Sequence, residues 1–197
     1  MKAFFSFIIL TLLFITAVYF YNQHHQPGPV GGAFTLISSN KQIVTEKDIR
    51  AKPAVIFFGY TMCPDVCPTT LFDMQQWIKA LGNDADKLGF WFFTVDPERD
   101  TPEIMNEYLS NSPKNIIGVS GDPAEVRKVI KNFNIVAIKV PGENKDYSYD
   151  HTAAVILLHK GGRSFGIIPY QADIGANSER GNIGLDKLRQ LIKEDTQ

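Results

Sequence analysis

The chain opens on an apolar run. Ala3 to Tyr21 is built from Phe, Ile, Leu, Val, Ala and Tyr and is interrupted only by Ser6, Thr11 and Thr16. At ~1.5 Å rise per residue such a helix approaches the ~30 Å of a bilayer core, so the pattern predicts a transmembrane anchor over residues 1–21. Lys2 ahead of it retains the N-terminus on the cytoplasmic side and sends the rest of the chain across. A cleaved signal peptide is the competing reading, but Ala17 is followed by Val18, Tyr19, Phe20 and Tyr21, which offer no small-x-small cleavage site. Tyr19 and Tyr21 also suit the aromatic belt at a membrane surface. No Arg precedes Arg50, which argues against a mitochondrial transit peptide. The expectation is a single-pass protein of a bacterial inner membrane, its soluble domain facing the periplasm.

Residues 22–32 (NQHHQPGPVGG) are polar, then Pro/Gly-rich, and read as a tether; the folded domain is expected over 33–197. Phe34 to Ile37 and Ile43 to Thr45 flank SSNKQ as a short hairpin. Ala54 to Phe58 is continuously apolar between Pro53 and Gly59, the mark of a strand buried on both faces. Leu71, Met74, Trp77, Ile78 and Leu81 recur at helical steps and Gly82-Asn83 closes them. Phe90 to Val95 predicts a second buried strand. Asp100-Thr101-Pro102-Glu103 and Asp122-Pro123-Ala124-Glu125 each start a helix, with Pro in the first turn and acidic groups at the positive end. Ile116 to Ser120 is a strand and Ala137 to Val140 a weak one. Gly142 to Tyr149 reads as a polar loop. Ala153 to Leu158 and Ser164 to Pro169 form a hairpin around Lys160-Gly-Gly-Arg163, and Leu185, Leu188, Leu191 and Ile192 face a last helix. The alternation predicts an α/β fold, a central sheet flanked by helices with a β-hairpin at its N-terminal end.

Of 197 residues, 44% are hydrophobic and 21% charged, with a net charge of −1. That composition excludes a disordered chain and a nucleic-acid binder acting through bulk positive charge. The chemistry concentrates in two cysteines, both in Gly59-Tyr-Thr-Met-Cys63-Pro-Asp-Val-Cys67-Pro-Thr-Thr70 between a strand and a helix. Pro68 is tolerated at the first helical position, so the helix is expected to start there with Cys67 at or near its N-cap. The helix dipole would then favour a thiolate at Cys67. A structural disulfide closing so short a loop stabilises by only about 2 kcal/mol, against about 4.7 kcal/mol for a hundred-residue loop. The pair is therefore read as chemical, either a redox-active disulfide or, when reduced, two ligands for a soft metal. After the tether only His151 and His159 remain as imidazole donors. His151 precedes an apolar strand, on an exposed loop end, whereas His159 beside the Lys-Gly-Gly turn reads as solvated. His24 and His25 lie together in the tether without further ligands. The three-residue spacing departs from the thioredoxin-type pair, which counts against a metal-free thiol–disulfide oxidoreductase, while Thr61 and Arg99 keep a peroxidase reading of the thiols in play.

Three segments, GYTMCPDVCPTT, TVDPERDTPE at Thr94 to Glu103 and YDHTA at Tyr149 to Ala153, together resemble the Sco/SenC copper-binding proteins that assist assembly of cytochrome c oxidase. The resemblance implies a membrane-anchored, thioredoxin-like domain that binds copper through Cys63, Cys67 and His151. It also associates Asp96 with the copper pocket, a strand-end cap or an ion pair with Arg99 being the alternative roles. Two thiolates and an imidazole suit Cu(I), whereas Zn(II) would seek a fourth ligand. The implied recipient is subunit II of cytochrome c oxidase. A periplasmic thiol reductant is implied as a second partner, and reduction of the recipient's own cysteines is the alternative activity.

Overall fold

The structure, a computed structural model, describes residues 11–20, 28–113, 115–143, 146–170 and 183–196. Residues 11–20 form helix α1, exposed along its length. No helix among the described residues is long and apolar enough to cross a membrane. The remainder of the expected anchor, like His24 and His25, lies outside them. Among the described residues, hydrogen bonding to the domain begins at Val30, whose N–H donates to the Gly162 carbonyl at 2.8 Å. Arg50 reaches back to the carbonyls of Val30 and Gly32, both at 3.1 Å.

From there the elements run β1 (Thr35–Ser38), β2 (Ile43–Thr45), α2 (Glu46–Arg50), β3 (Ala54–Gly59), α3 (Val66–Leu81), a 3-10 turn (Gly82–Lys87), β4 (Gly89–Thr94), α4 (Pro102–Tyr108), β5 (Ile116–Ser120), α5 (Pro123–Asn132), β6 (Ala137–Pro141), β7 (Tyr147–His151), β8 (Ala154–Leu158), β9 (Ser164–Pro169) and α6 (Ile183–Asp195). Seven strands form one sheet in the order β2-β1-β5-β4-β3-β8-β9. Its centre is parallel, β4 lying between β3 and β5, and β1, β8 and β9 join antiparallel. β3 sits inside this sheet with all six residues buried, which is why its sequence is apolar without alternation.

The two faces of β3 separate two cores. Phe57 stacks on Phe92 of β4, and Phe92 on Tyr108 at the end of α4. Phe58 packs against Phe93 and Phe133, and Phe93 against Phe34. The first face receives Cys67 of α3 and the second receives the end of α5. Helix ends follow the sequence signals. Thr101 and Asp122 cap α4 and α5, with Pro in the first turn of each. Gly82, at φ +56°, ends α3.

Two expectations are corrected. Tyr147 to His151, most of which the sequence pattern predicts as polar loop, is strand β7, paired antiparallel with β6 in a separate two-stranded sheet. Its Tyr-x-Tyr-x-His alternation half-buries every second residue, a period-2 pattern masked in sequence by Ser148 and Asp150. His159 is not solvated: it is 6% exposed, with Phe165 edge-on at 5.2 Å. Its Nδ1 lies 3.1 Å from an Asp195 carboxylate oxygen. A carboxylate only accepts, so Nδ1 carries the proton, and the bond ties the end of α6 to the end of β8.

Because this bond involves a charged acceptor at a buried site, His159→Ala is expected to lower unfolding free energy by about 1.5–3 kcal/mol. Urea unfolding measures it; a midpoint equal to that of the unchanged chain would show that α6 is held without His159.

Candidate metal centre

The site forms where β3 and β4 end, at the carboxyl edge of the parallel strands, a position where open α/β sheets gather ligands. Beyond Gly59 the chain turns: the Cys63 N–H donates to the Tyr60 carbonyl at 3.2 Å. Asp100, 0% exposed, holds this turn from the start of α4. Its carboxylate accepts the Thr61 hydroxyl at 2.6 Å, the Thr61 N–H at 3.1 Å and the Thr94 hydroxyl at 2.6 Å. Burial pushes the Asp100 carboxyl up, while those donors to the charged form pull against it.

Helix α3 starts at Val66, two residues before the expected Pro68, and its N-cap is Asp65. Cys67 thus lies inside the first turn. Pro68 is tolerated there because the first four N–H groups of a helix have no intrahelical acceptor, so a residue lacking one forfeits nothing. Asp65 makes no side-chain cap bond. Instead the Cys67 N–H donates to the Cys63 sulfur at 3.4 Å, so one cysteine caps the helix that carries the other.

Three donor atoms converge. The sulfurs of Cys63 and Cys67 and a ring nitrogen of His151 all lie within 4.8 Å of one another. His151 Nε2 is 3.5 Å from the Cys67 sulfur. Its Nδ1 is 3.2 Å from the Thr152 carbonyl, which can only accept; that bond fixes the proton on Nδ1 and leaves the Nε2 lone pair facing the sulfurs. Burial lowers the His151 pKa, favouring the neutral ring that binds metals. His151 ends a strand and is half-buried against Phe57 and Tyr60, rather than standing exposed on a loop end. Cys67 is 0% exposed, and burial drives its thiol pKa well above the ordinary range. The expected lowering by the helix dipole is therefore overturned. Cys63 is half-buried and marks the accessible side of the group.

The other candidates fall nearby with different partners. Asp96, 0% exposed at the end of β4, pairs with the Arg99 guanidinium and accepts the Tyr147 hydroxyl at 2.9 Å. Of its alternative roles the ion pair is the one formed. With Arg99 on Asp96 and Thr61 on Asp100, the arrangement a peroxidase would need around its thiolate is not made. Asp100, Tyr60 and Gly59 were missed as parts of the site. Gly59 adjoins the cysteine motif, but its role appears only in space: a Cβ there would meet the Cys67 sulfur at 2.6 Å and Phe92 at 2.8 Å.

Fold and donor set together define a thioredoxin-like domain presenting two thiols and an imidazole for a soft metal. The SCO1/SenC family profile matches residues 22–180, and the chain belongs to that family. It is 33% identical over 145 residues to the SCO2-like protein RP587 of Rickettsia prowazekii, covering 73% of this chain and 71% of that protein. Similar solved structures include Bradyrhizobium japonicum ScoI with copper bound, at 41% identity and TM-score 0.73 over 83% of this chain and 98% of that one. Yeast Sco1 with copper bound is 30% identical, with TM-score 0.71 over 85% and 90%.

Since Gly59 leaves room for the Cys67 sulfur, Gly59→Ala is expected to displace it and to cost about 1–3 kcal/mol of stability through overpacking. A urea midpoint and a Cys67 alkylation rate both matching the unchanged chain would refute this account of the glycine.

Proposed function

We propose that the chain is a membrane-anchored copper carrier that binds one Cu(I) through Cys63, Cys67 and His151 and delivers it during assembly of cytochrome c oxidase, with subunit II as recipient. The observation that carries this reading is the convergence of the three donors, with the Nε2 lone pair already turned toward the sulfurs. Two soft sulfurs and one imidazole match a monovalent ion of low coordination number. The buried carboxylates Asp96 and Asp100 are engaged by Arg99 and by Thr61 and Thr94, and among the described residues no carboxylate joins the three donors as a fourth, Zn(II)-type ligand. Likeness to copper-bound relatives supports the same assignment.

The unequal burial of the sulfurs gives a direction to transfer. Cys67 is the inner ligand, while Cys63 stands on the accessible side, where a recipient's thiolate could enter the shell and displace it. The same pair supports a second reading, a thiol–disulfide oxidoreductase acting on the recipient's cysteines, because the two free sulfurs lie within 4.8 Å. Oxidation to a disulfide removes both thiolates at once, so a periplasmic reductant must act before copper can load. The apolar run at 3–21 supplies the anchor and residues 22–32 the tether, whose last three residues are already hydrogen-bonded to the copper-binding domain at 33–197, facing the periplasm.

Anaerobic Cu(I) titration against a chromogenic chelator tests the site in the full chain. Tight one-to-one binding is expected for the dithiol form only. The disulfide form and Cys67→Ser should lose it, His151→Ala should weaken it, and His159→Ala should retain it despite lower stability. Comparable affinity in the disulfide form would place the ligands elsewhere, with His24 and His25 the next suspects. For the anchor, mass spectrometry of the mature membrane-bound protein should find the apolar run intact. An N-terminus near Asn22 or later would make that segment a cleaved signal.

A further inference from the structure

The hairpin of β6 and β7, which carries His151, stands apart from the domain. Its strands pair with each other, and among the described residues neither pairs with a strand of the seven-stranded sheet. At its root the hairpin runs on from α5 and into β8, with the Thr152 N–H donating to the Val136 carbonyl at 3.0 Å; a two-stranded hairpin is marginal by itself, so its pose beyond that root is set by side chains. Those contacts concentrate at two places. At the His151 end the ring approaches Cys67, and the Tyr149 N–H donates to the Tyr60 hydroxyl at 3.3 Å. At the other end stands Tyr147, held far more tightly.

The Tyr147 ring has one cation against it from the domain and one from the neighbouring strand. The Arg99 guanidinium lies 3.7 Å from the ring centroid, and the Lys139 ammonium of β6 lies 3.6 Å from it. Both cations are themselves fixed, Arg99 by Asp96 and by Asp146 at 3.0 Å, Lys139 by Glu98 at 2.8 Å. The Tyr147 hydroxyl donates to Asp96. Ring and hydroxyl therefore lock the hairpin to residues 96–99, the segment that follows β4.

Tyr147, Tyr149 and His151 alternate along one strand and face the same side. At ~3.3 Å per residue the lock lies about 13 Å from His151 along the strand. The gap is filled by rings in contact: Tyr147 to Tyr149 at 5.9 Å, Tyr149 to Tyr60 at 5.7 Å and Tyr60 to His151 at 5.8 Å. Tyr60 belongs to the cysteine loop, so this row joins the lock, the imidazole and the sulfurs.

The geometry points to Tyr147 as the positioning residue of the metal centre: clamped between Arg99 and Lys139, it holds the β6–β7 arm in the pose that brings His151 Nε2 to the two sulfurs. It touches no metal ligand atom in doing so. With the clamp gone, the arm swings and a fraction of molecules offers only the two sulfurs. Apparent Cu(I) affinity falls by the fraction of molecules whose arm is docked. The inference rests on the copper reading for its metal arm, but the motion itself is measurable without metal.

In the metal-free full chain, Tyr147→Leu is expected to speed amide hydrogen exchange across β7 by about tenfold or more, with β3 and β4 unchanged. Tyr147→Phe keeps both cation–ring contacts and loses only the hydroxyl bond to Asp96, so its exchange should fall between Tyr147→Leu and the unchanged chain. With Cu(I) as probe, Tyr147→Leu should lower affinity about tenfold, for a docked fraction near one tenth. In the His151→Ala background the same change should have no further effect, because the imidazole it positions is gone. Unchanged exchange in β7 overturns the inference. So does an equal affinity loss with and without His151, which would mean that Tyr147 acts on the sulfurs or on the whole fold. Should Tyr147→Leu fail to fold, Lys139→Thr removes one cation from the exposed side, and unchanged β7 exchange in that variant is equally fatal. A chain that binds no Cu(I) at all defeats the copper reading and leaves the exchange result to stand on its own.

Discussion

One cysteine of the pair is wholly buried and the other only half so, and the rest of the site is arranged around that difference. Cys67 reaches full burial because Gly59 at the end of β3 has no side chain, so the first turn of α3 can settle onto the Phe57 and Phe92 rings. Helix dipole and burial then compete for the thiol. A dipole contributes at most about 2 kcal/mol in favourable geometry, whereas burial shifts a fully enclosed group by up to 3–5 pK units at about 1.36 kcal/mol each. Burial wins at Cys67 and pushes its thiol pKa up. Reactivity toward solvent is suppressed there, while Cys63 accepts the N–H of Cys67 and stays accessible.

This arrangement depends on buried polar residues that act as structure. Asp100 gathers one backbone N–H and two hydroxyls around the turn that leads to Cys63, and Ser120 donates to the Asp100 carbonyl from β5. A buried carboxylate is costly unless such donors surround it. The turn before Cys63 is thereby fixed to the ends of two core strands, and the sulfur spacing is set before any metal arrives. Preorganisation of that kind lowers the ordering cost of binding.

Local signals were sufficient for what depends on neighbours in the chain. The continuous apolar runs became β3 and β4, Thr101-Pro102 and Asp122-Pro123 began their helices, and the cysteine spacing located the sulfur loop. Signals failed where the deciding partner is remote. His159 looked like a turn residue until Asp195 closed over it from α6. Tyr147 and Tyr149 looked like loop until Lys139 and Tyr60 gave their rings surroundings. Asp100 is separated by 39 residues from Thr61, and the sequence around it reads simply as a helix start. Asp96 and Arg99 were legible as an alternative pair because they lie three residues apart. His151 was legible as a candidate but not in its setting, since half-burial comes from β6, Phe57 and Tyr60 together.

The three donors thus come from two mechanically different parts of the fold. Both sulfurs are tied to the central sheet, one through α3 and the other through a turn pinned by Asp100. The imidazole comes from a hairpin that leads into β8 at its root but makes no backbone pairing with that sheet and is held along its length by side chains. Hydrogen-bonded sheets open rarely, whereas a side-chain interface can open locally at far lower free energy. A closed shell with every ligand on the sheet would hold an ion tightly and release it slowly. In the proposed carrier, a ligand on the arm would let the shell lose a donor without disturbing the other two, and Cys63 on the accessible side would offer the next bond to exchange. For a site whose proposed work is to receive an ion and give it up, that division between rigid sulfurs and a movable nitrogen lets one fold serve both steps.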